Sequence, residues 1–320
     1  MTDRDPSLSS ELDEARAWAR RATLHHTAWP AARVAAERER TVSVVLPARD
    51  EAGTIGAVLD ALTPLRDAGA IDQIVVVDDS TDGTADVARS HGAEVYAQRE
   101  LRPEYGPVLG KGDAMWRSLS VATGEVVCFL DADTENPGPH FAAGLVGPVA
   151  SAGPVQLAKA CYRRPFRVAG QTAPTGGGRV TELTARPLLN ALFPTLAGVR
   201  QPLAGEIAVR RELIDRLPML CGYAVDVGLL IDAWQVVGLD AMVQVDLDVR
   251  QNRHQALERL SPMAFEVAAA ILRRAHEGGR VADPPPDALL APDDERLEPV
   301  ARPLVERPPL ALARHGVGMP

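Results

Sequence analysis

The chain has 320 residues, of which 46% are apolar, so it can bury a full hydrophobic core in one large domain or two small ones. Its 34 Lys and Arg against 43 Asp and Glu give a formal net charge of −9, which argues against general affinity for nucleic acid or anionic membranes. Three separated cysteines, Cys128, Cys161 and Cys221, form no CxxC pair and indicate structural thiols in a reducing compartment. No apolar run approaches the roughly 20 residues of a membrane span, and the N-terminus is charged, so we expect a cytoplasmic protein.

The two ends of the chain differ in composition from its middle. Residues 1–40 are rich in Ala, Arg and Glu, so we expect a helical N-terminal extension in which His25 and His26 belong to a helix or to its packing. Residues 281–320 are rich in proline, and the stretch 282–299 combines proline with acids. This composition predicts a Pro-rich tail in which 282–299 is a linker or a poorly ordered segment, and we expect the following VERPPLAL to dock back on the core.

Between these ends, short apolar runs alternate with amphipathic segments. The runs are rich in β-branched residues, which is typical of buried strands. They lie at 41–48, 74–79, 93–97 and 126–133. Helical spacing gives the first intervening segment an apolar face of Ile55, Val58, Leu59 and Leu62. Another helix is expected over 113–122. Strands that alternate with helices predict an α/β fold with a mostly parallel sheet and helices on both faces.

Charged residues lie at or directly after the carboxyl ends of three of the predicted strands. They lie in the segments Arg49-Asp50-Glu51, Asp78-Asp79 and Asp131-Ala132-Asp133. Function gathers at the carboxyl ends of strands in such a sheet, so we expect a site there. A strand directs residues i and i+2 to one face, so Asp131 and Asp133 should converge, and a divalent cation would relieve their repulsion. Oxygen ligands suit Mg²⁺ or Mn²⁺, which also bind substrate phosphates; a solvated turn is the alternative.

Several stretches carry a resemblance to a known family. VSVVLPARDEAGTIGAVLDAL, VVVDDSTDGTADVA, GKGDAMWRSL and VVCFLDAD, in this order, resemble the nucleotide-binding half of GT-A glycosyltransferases. Further along, TGGGRVTELTARPLL, QPLAGE, YAVDVGLLIDAW and RPLVERPPL resemble the retaining glucosyl-3-phosphoglycerate synthases and their mannosyl counterparts. The resemblance runs from about residue 41 to residue 310. It implies a GT-A fold with a Rossmann-like nucleotide-sugar-binding half at 41–150 and an acceptor-binding half at 151–280.

The resemblance implies a donor site with a metal-binding DxD signature. The donor positions are Pro47, Ala48, Arg49, Glu51, Asp78, Asp79, Lys111, Asp131, Ala132 and Asp133. The first four would surround the base and ribose, the next two would lie beneath the nucleotide, and the last three would form the DxD signature. Lys111, between two glycines, would place a positive charge near the donor phosphates and stabilise the leaving group.

On the acceptor side, the glycines and the arginine fork of TGGGRV suit an anion. In the resembled family, the positions that match Gly178, Arg179 and Thr181 hold phosphoglycerate. Leu203 matches a position whose backbone carbonyl lies near the reacting centre, and Asp226 either lies near the acceptor or caps the following helix. With no carboxylate convincingly placed as a nucleophile, the family likeness implies same-face attack with retention while the diphosphate leaves.

The chain departs from the family near the end of this half. The family pattern resembles VRxHRNRP, whereas this chain reads VRQNRHQA. The metal-binding His position becomes Asn252, and the acceptor-binding Asn position becomes His254, which could bind the metal itself after a one-residue slip. An Asn can bind Mg²⁺ through its carbonyl oxygen, but this interaction is weaker than the binding of Mn²⁺ by an imidazole.

Three functions stay open on this basis. In the first, the chain is a divergent member of the glucosyl-3-phosphoglycerate synthases. In the second, it serves specialised metabolism and moves a UDP- or GDP-linked sugar to another carboxylate-bearing acceptor, for example in the S-glycosylation of ergothioneine during lincosamide antibiotic biosynthesis. In the third, Asn252 abolishes metal chemistry and the chain is a non-catalytic nucleotide-binding module. The family likeness also implies a homodimer.

Overall fold

A computed structural model describes residues 6–168, 171–173, 176–252, 257–293 and 296–313. The helices are α1 (Pro6–Arg21), α2 (Ala31–Glu37), α3 (Ile55–Asp67), α4 (Thr84–Ser90), α5 (Lys111–Ser118), α6 (His140–Ala150), α7 (Arg186–Leu192), α8 (Arg211–Ile214), α9 (Val225–Val237), α10 (Leu257–Glu277) and α11 (Leu310–Ala313). The strands are β1 (Thr23–His25), β2 (Val42–Ala48), β3 (Gln73–Asp78), β4 (Glu94–Ala97), β5 (Val126–Phe129), β6 (Leu157–Arg163), β7 (Phe166–Val168), β8 (Gln171–Ala173), β9 (Ile207–Arg210), β10 (Met219–Leu220), β11 (Met242–Val249), β12 (Ala288–Asp293), β13 (Arg296–Ala301) and β14 (Glu306–Arg307). A π-helical turn, Thr181–Ala185, runs directly into α7.

Eight strands form a central sheet in the order β1-β11-β6-β9-β5-β2-β3-β4. β1, β11 and β6 are parallel to one another, as are β5, β2, β3 and β4, and β9 runs antiparallel between the two groups. Every residue of β5 is buried, as expected for a strand in the interior of a covered sheet. The mostly parallel α/β sheet predicted from the sequence is therefore confirmed.

The elements predicted for the first half lie close to the observed ones. β2, β3 and β4 begin and end within one residue of the predicted runs, and α3 buries its predicted apolar face. α5 begins at Lys111, two residues earlier than expected. β5 ends at Phe129, where its pairing with Ile207 of β9 ends, and the chain then turns away. Asp131 and Asp133 thus lie in a loop, and the prediction that a strand pleat aligns them is wrong.

The N-terminal segment contributes to the central sheet. α1 and α2 are helical as predicted, but β1 lies between them and extends the sheet along β11. His25 ends β1 and His26 begins a short 3₁₀ turn, so neither belongs to an α-helix. Trp18 is buried in α1, and its indole Nε1 donates to the carbonyls of Leu239 and Met242, both at 3.0 Å. β1 forms because it pairs with the distant strand β11, and this pairing outweighs the helix expected from the composition of the N-terminal segment.

The C-terminal segment contains structure that its composition did not predict. β12 and β13 pair as an antiparallel hairpin inside the stretch expected to be a linker, so that expectation is wrong. Further on, β14 pairs with β10, and Arg307 Nε donates to the buried Asp113 at 2.6 Å. Trp116 Nε1 also donates to the carbonyl of Pro308 at 2.8 Å. This part of the tail docks on the core.

The central sheet is continuous across residue 150, where the sequence suggested a boundary between two halves. β5 lies before that residue and β6 lies after it, and β9 pairs with both. The division into 1–40, 41–150, 151–280 and 281–320 stays a prediction. Within the described ranges, the helices lack the combination of length and apolar surface that a membrane crossing requires.

Candidate active site

A cleft of about 380 Å³ opens at the carboxyl ends of the central strands. Pro47 and Ala48 at the end of β2 line it, as does Asp79 directly after β3. Its other walls come from the loop after β5, the glycine-rich segment before α7, the start of α9 and the segment after β11. Most of the predicted site residues therefore meet in one place.

Lys111 lies between two acidic side chains of this cleft. Its Nζ is 2.8 Å from Asp131 Oδ1 and 3.1 Å from Asp226 Oδ2. Burial alone would lower the pKa of Lys111, but the two carboxylates outweigh it and raise that pKa. Burial would raise the pKa of Asp131, yet Lys111 and Arg250 lower it overall, whereas burial raises the pKa of Asp226. The site therefore keeps a charged lysine, and Asp131 is its ionised partner.

Arg250 holds the two DxD carboxylates together. Its Nη2 donates to Asp131 Oδ2 at 3.0 Å and to Asp133 Oδ1 at 2.6 Å, and its Nε lies 2.7 Å from Glu206 Oε1. Glu206 Oε2 in turn accepts a hydrogen bond from Tyr162 at 2.8 Å. Arg250 is 3% exposed and Glu206 is 1% exposed, so this ion pair lies in the protein interior. A shared guanidinium, rather than a strand pleat, brings Asp131 and Asp133 together.

A second buried lysine fixes the segment that carries Leu203. Lys159 is 2% exposed, and its Nζ donates to the carbonyl of Ala204 at 2.8 Å and to that of Asp226 at 3.4 Å. Burial lowers the pKa of Lys159 to about 8. Gly205 follows Ala204 in the sequence. A Cβ at this position would overlap the Asp131 carboxylate and the Lys111 ammonium, so the position needs glycine. Leu203 is thereby held at the cleft wall, and the role of its backbone carbonyl near the reacting centre stays a prediction.

Asp133 and Asn252 supply oxygen donors that fit a divalent cation. Asn252 Nδ2 is 3.4 Å from Asp133 Oδ2, and Asn252 Oδ1 accepts a hydrogen bond from Arg164 at 2.8 Å. A half turn of the amide, in which Arg164 would lose this hydrogen bond, would direct its oxygen toward Asp133. Adjacent oxygens around an octahedral Mg²⁺ are roughly 3 Å apart, so the spacing and the chemistry of this donor set both fit the predicted metal.

The predicted acceptor residues form another wall of the cleft. Gly178, Arg179 and Thr181 all line it. Gly178 has φ +75°, a left-handed conformation that favours glycine. The Arg179 guanidinium lies 5.2 Å from the ring centroid of Phe166, and Thr181 is buried at the start of the π-helical turn. The sequence pattern thus identified a real wall of the cleft.

Of the remaining predicted residues that the structure describes, some line the cleft and one does not. Arg49 and Glu51 line the cleft, and Arg49 lies 4.0 Å from the carboxylate of Asp79. Asp78 instead accepts a hydrogen bond from Ser80 at 2.6 Å and is not among the residues that line the cleft in the described part of the chain. His254 lies outside the described residues.

Asp226 does not cap α9 as its alternative role required. The residue that precedes α9 is Ala224, and Asp226 is already within the first turn, where it pairs with Lys111. The sequence reasoning also missed several residues of the site or its support, namely Lys159, Tyr162, Arg164, Glu206, Tyr223 and Arg250. The one available signal for Arg250 was its own place as the second residue of the divergent VRQNRHQA motif.

The fold and the cleft define the class of this protein. A mostly parallel sheet with paired acids at its carboxyl edge, facing a glycine-rich anion wall, is that of a GT-A glycosyltransferase that uses a nucleotide-diphosphate sugar. The family model of glycosyl transferase family 2 matches residues 43–163, which run from the second residue of β2 to the end of β6. The predicted enzyme class is confirmed, and the non-catalytic alternative is not favoured.

Relatives define the family more narrowly. The glucosyl-3-phosphoglycerate synthase of Mycobacterium tuberculosis is 47% identical over 257 residues, which are 79% of this chain and 79% of that protein. The mannosyl-3-phosphoglycerate synthase of Rubrobacter xylanophilus superposes with a TM-score of 0.83 at 47% identity, covering 93% of this chain and 98% of that one. The M. tuberculosis synthase in complex with Mn²⁺, UDP-glucose and phosphoglyceric acid superposes with a TM-score of 0.81 at 42% identity, covering 92% and 99%. The chain belongs to the family of the glucosyl-3-phosphoglycerate synthases.

Proposed function

We propose that the protein transfers a glucosyl residue from UDP-glucose to the hydroxyl of 3-phosphoglycerate, with Mg²⁺ or Mn²⁺ bound in the cleft. One observation carries this proposal. The DxD carboxylates with Lys111 and the glycine-rich wall with Arg179 line the same cleft, so donor and acceptor groups can meet. The M. tuberculosis relative binds Mn²⁺, UDP-glucose and phosphoglyceric acid together, which supports the same assignment here.

The donor would occupy the side of the cleft formed by the ends of β2, β3 and β5. Pro47, Ala48, Arg49 and Glu51 would surround the base and ribose, with Asp79 beside them. Asp131, Asp133 and Asn252 would hold the cation, with His254 as the other ligand proposed from the sequence. When bound, the cation neutralises charge on the donor diphosphate.

Lys111 would stabilise the departing diphosphate. Two carboxylates raise its pKa, so it stays an ammonium and places a fixed positive charge beside the DxD loop. Such preorganised charge stabilises a transition state more than it stabilises the bound substrate. Asp226, on the other side of Lys111, and the backbone carbonyl of Leu203 would face the reacting centre. The proton of the acceptor hydroxyl would pass to a diphosphate oxygen, with same-face attack and retention.

The acceptor would lie against the wall formed by Gly178, Arg179 and Thr181. An arginine fork matches the two oxygens of a carboxylate or a phosphate, and neighbouring backbone N–H groups can add donors. 3-Phosphoglycerate carries both anions. The curated relatives reported above are synthases of a phosphoglycerate glycoside, which supports this acceptor over the specialised-metabolism alternative with a GDP-sugar.

The oligomeric state proposed from the family likeness is a homodimer. Light scattering coupled to size-exclusion chromatography tests it directly. A mass of twice 34.1 kDa supports the dimer, and a mass of 34.1 kDa contradicts it.

A product screen by mass spectrometry tests the proposed activity. UDP-glucose, UDP-mannose, GDP-glucose and GDP-mannose would each be incubated with 3-phosphoglycerate, glycerate or ergothioneine, in Mg²⁺, Mn²⁺ or EDTA. The proposal predicts a hexosyl-phosphoglycerate with UDP-glucose that disappears in EDTA. Transfer to ergothioneine but not to 3-phosphoglycerate would overturn the acceptor assignment, and preference for a GDP-sugar would overturn the donor assignment.

A further inference from the structure

A second cluster of metal-ligating side chains lies at the end of the edge strand β1, in the turn that follows it and near the end of β11. His26 Nε2 is 2.7 Å from Asp248 Oδ2, and His25 Nε2 is 3.4 Å from Asp248 Oδ1. Each of the three residues offers one ligand atom, and these atoms all lie within 4.8 Å of one another. Because none of the three lines the catalytic cleft, the cluster is separate from the DxD loop.

The second nitrogen of His25 already has a bonding partner of its own. His25 Nδ1 lies 2.8 Å from Thr27 Oγ1 and accepts a hydrogen bond from the backbone N–H of Thr27 at 3.4 Å, while Nε2 faces Asp248. A bond through the nitrogen that does not bind the metal fixes the ring orientation, as it does in most metal-binding histidines. The His25 ring is therefore oriented as a ligand before any ion binds.

The His26 ring is fixed by packing. Its centroid lies 4.4 Å from that of His25 and 4.5 Å from that of His140, the first residue of α6. Its side chain is only 16% exposed. α6 packs closely against it at Gly144, where an added Cβ would lie 3.0 Å from His26 Cβ. A ring held this way loses little further freedom when it binds an ion.

Asp248 adopts an unusual backbone conformation for a residue with a side chain. Its φ is +67°, in the left-handed region that glycine occupies most easily. In this conformation its carboxylate faces both imidazoles, and its N–H donates to Asp246 Oδ1 at 3.0 Å. Arg163 Nη2 also lies 3.8 Å from Asp248 Oδ1, so one exposed cation competes for the same oxygen.

We propose that His25, His26 and Asp248 form a second metal site, for Zn²⁺ or a similar transition-metal ion, which links the edge strand β1 to the end of β11. Two imidazoles and one carboxylate are a donor set of zinc sites, whereas Mg²⁺ takes oxygen ligands. Three protein ligands leave a fourth position for water. Adjacent ligands around tetrahedral Zn²⁺ are roughly 3.4 Å apart, and the distances of 2.7 and 3.4 Å from the two imidazoles to the Asp248 carboxylate lie near this value.

A Co²⁺ titration of the untagged, metal-free protein tests this proposal, because Co²⁺ reports its coordination by visible absorption. The Asp133→Asn variant serves as the parent, so that the catalytic metal site is weakened in every sample. We expect a d–d absorption band that saturates near one equivalent of Co²⁺. His25→Ala, an exposed position, and Asp248→Asn should each weaken this binding by more than about 100-fold, since loss even of supporting partners of a ligand costs 10–100-fold.

His91→Ala is the matched control, because His91 Nδ1 pairs with one carboxylate, Asp60 Oδ1, at 2.7 Å outside this cluster. It should leave the Co²⁺ band unchanged. Zn²⁺ should also raise the Tm of the parent but not that of the His25→Ala variant, since a ligand that binds only the folded state stabilises it. Absence of the band in the parent, or equal Co²⁺ binding by the parent and the His25→Ala variant, would overturn the proposal.

Discussion

The donor wall and the acceptor wall of the cleft are built in different ways. On the donor side, Lys111 and Arg250 connect carboxylates from three separate segments, around Asp131, Glu206 and Asp226, through contacts of 2.6–3.1 Å. On the acceptor side, Arg179 packs over Phe166 beside Gly178, a residue with left-handed φ. The charges of the donor wall share partners, so a change at one alters the pairing of the others, whereas replacing Arg179 should leave the charge pairs of the donor wall in place.

The largest loss of activity is expected from Asp133→Ala. This change removes a proposed metal ligand from a loop beyond β5, so kcat/KM should fall by at least about 10²–10³-fold while the fold is kept. Initial-rate measurements with a circular dichroism spectrum check both parts. Asp67→Ala, an exposed position at the end of α3, is the control and should keep full activity. Normal turnover by the Asp133 variant would remove the metal assignment.

Lys111→Met should reduce kcat by about 10²-fold, because the leaving diphosphate loses a fixed positive charge. It should also lower the free energy of unfolding by up to about 3 kcal/mol, the low end for a broken buried pair, since Arg250 still pairs with Asp131. The double variant Lys111→Met, Asp226→Asn should regain stability in urea unfolding but not activity. Recovery of activity in the double variant would show that Lys111 serves the fold alone.

Arg179→Ala should raise the KM for 3-phosphoglycerate by about 10–100-fold, the worth of a charged hydrogen bond, and leave the KM for UDP-glucose unchanged. Arg186→Ala is a matched control, because Arg186 pairs with Glu182 at 3.0 Å one helical turn away. Steady-state kinetics with each substrate varied in turn separates the two constants. Equal increases for both substrates would contradict the division into two walls.

Asn252→His should have the smallest effect on activity, and it tests whether the side chain at this position contacts the metal. An imidazole suits Mn²⁺ better than Mg²⁺, so the activation constant for Mn²⁺ should fall by about tenfold and that for Mg²⁺ should not fall. Rates measured over a range of each metal give both constants. An equal change for the two ions would mean that Asn252 does not contact the cation.

The two walls also differ in how far the sequence revealed them. β2 to β5 could be predicted because apolar, β-branched runs record burial locally, and Gly178 and Arg179 lie in one short motif. Glu206 and Arg250 are 44 positions apart in sequence and 2.7 Å apart in space, a relation that local patterns do not contain. The contacts of Arg250 with Asp131 and Asp133 were therefore not predicted.

The ends of the chain show the same limit. The composition of residues 1–40 predicted helix, yet β1 forms because β11 offers a free edge with which it pairs in parallel. Proline in 282–299 suggested a linker, yet β12 and β13 pair with each other there. In both places a backbone pairing between segments decides the structure, and neither composition nor periodicity reports such a pairing.

A crystal structure with Mn²⁺, UDP and 3-phosphoglycerate, with anomalous data collected at the manganese edge, tests the central claim most directly. We expect an anomalous peak in contact with Asp133 and Asn252, with phosphoglycerate bound to Arg179 in the same cleft. A peak bound by neither Asp133 nor Asn252, or an acceptor located away from Arg179, would contradict it.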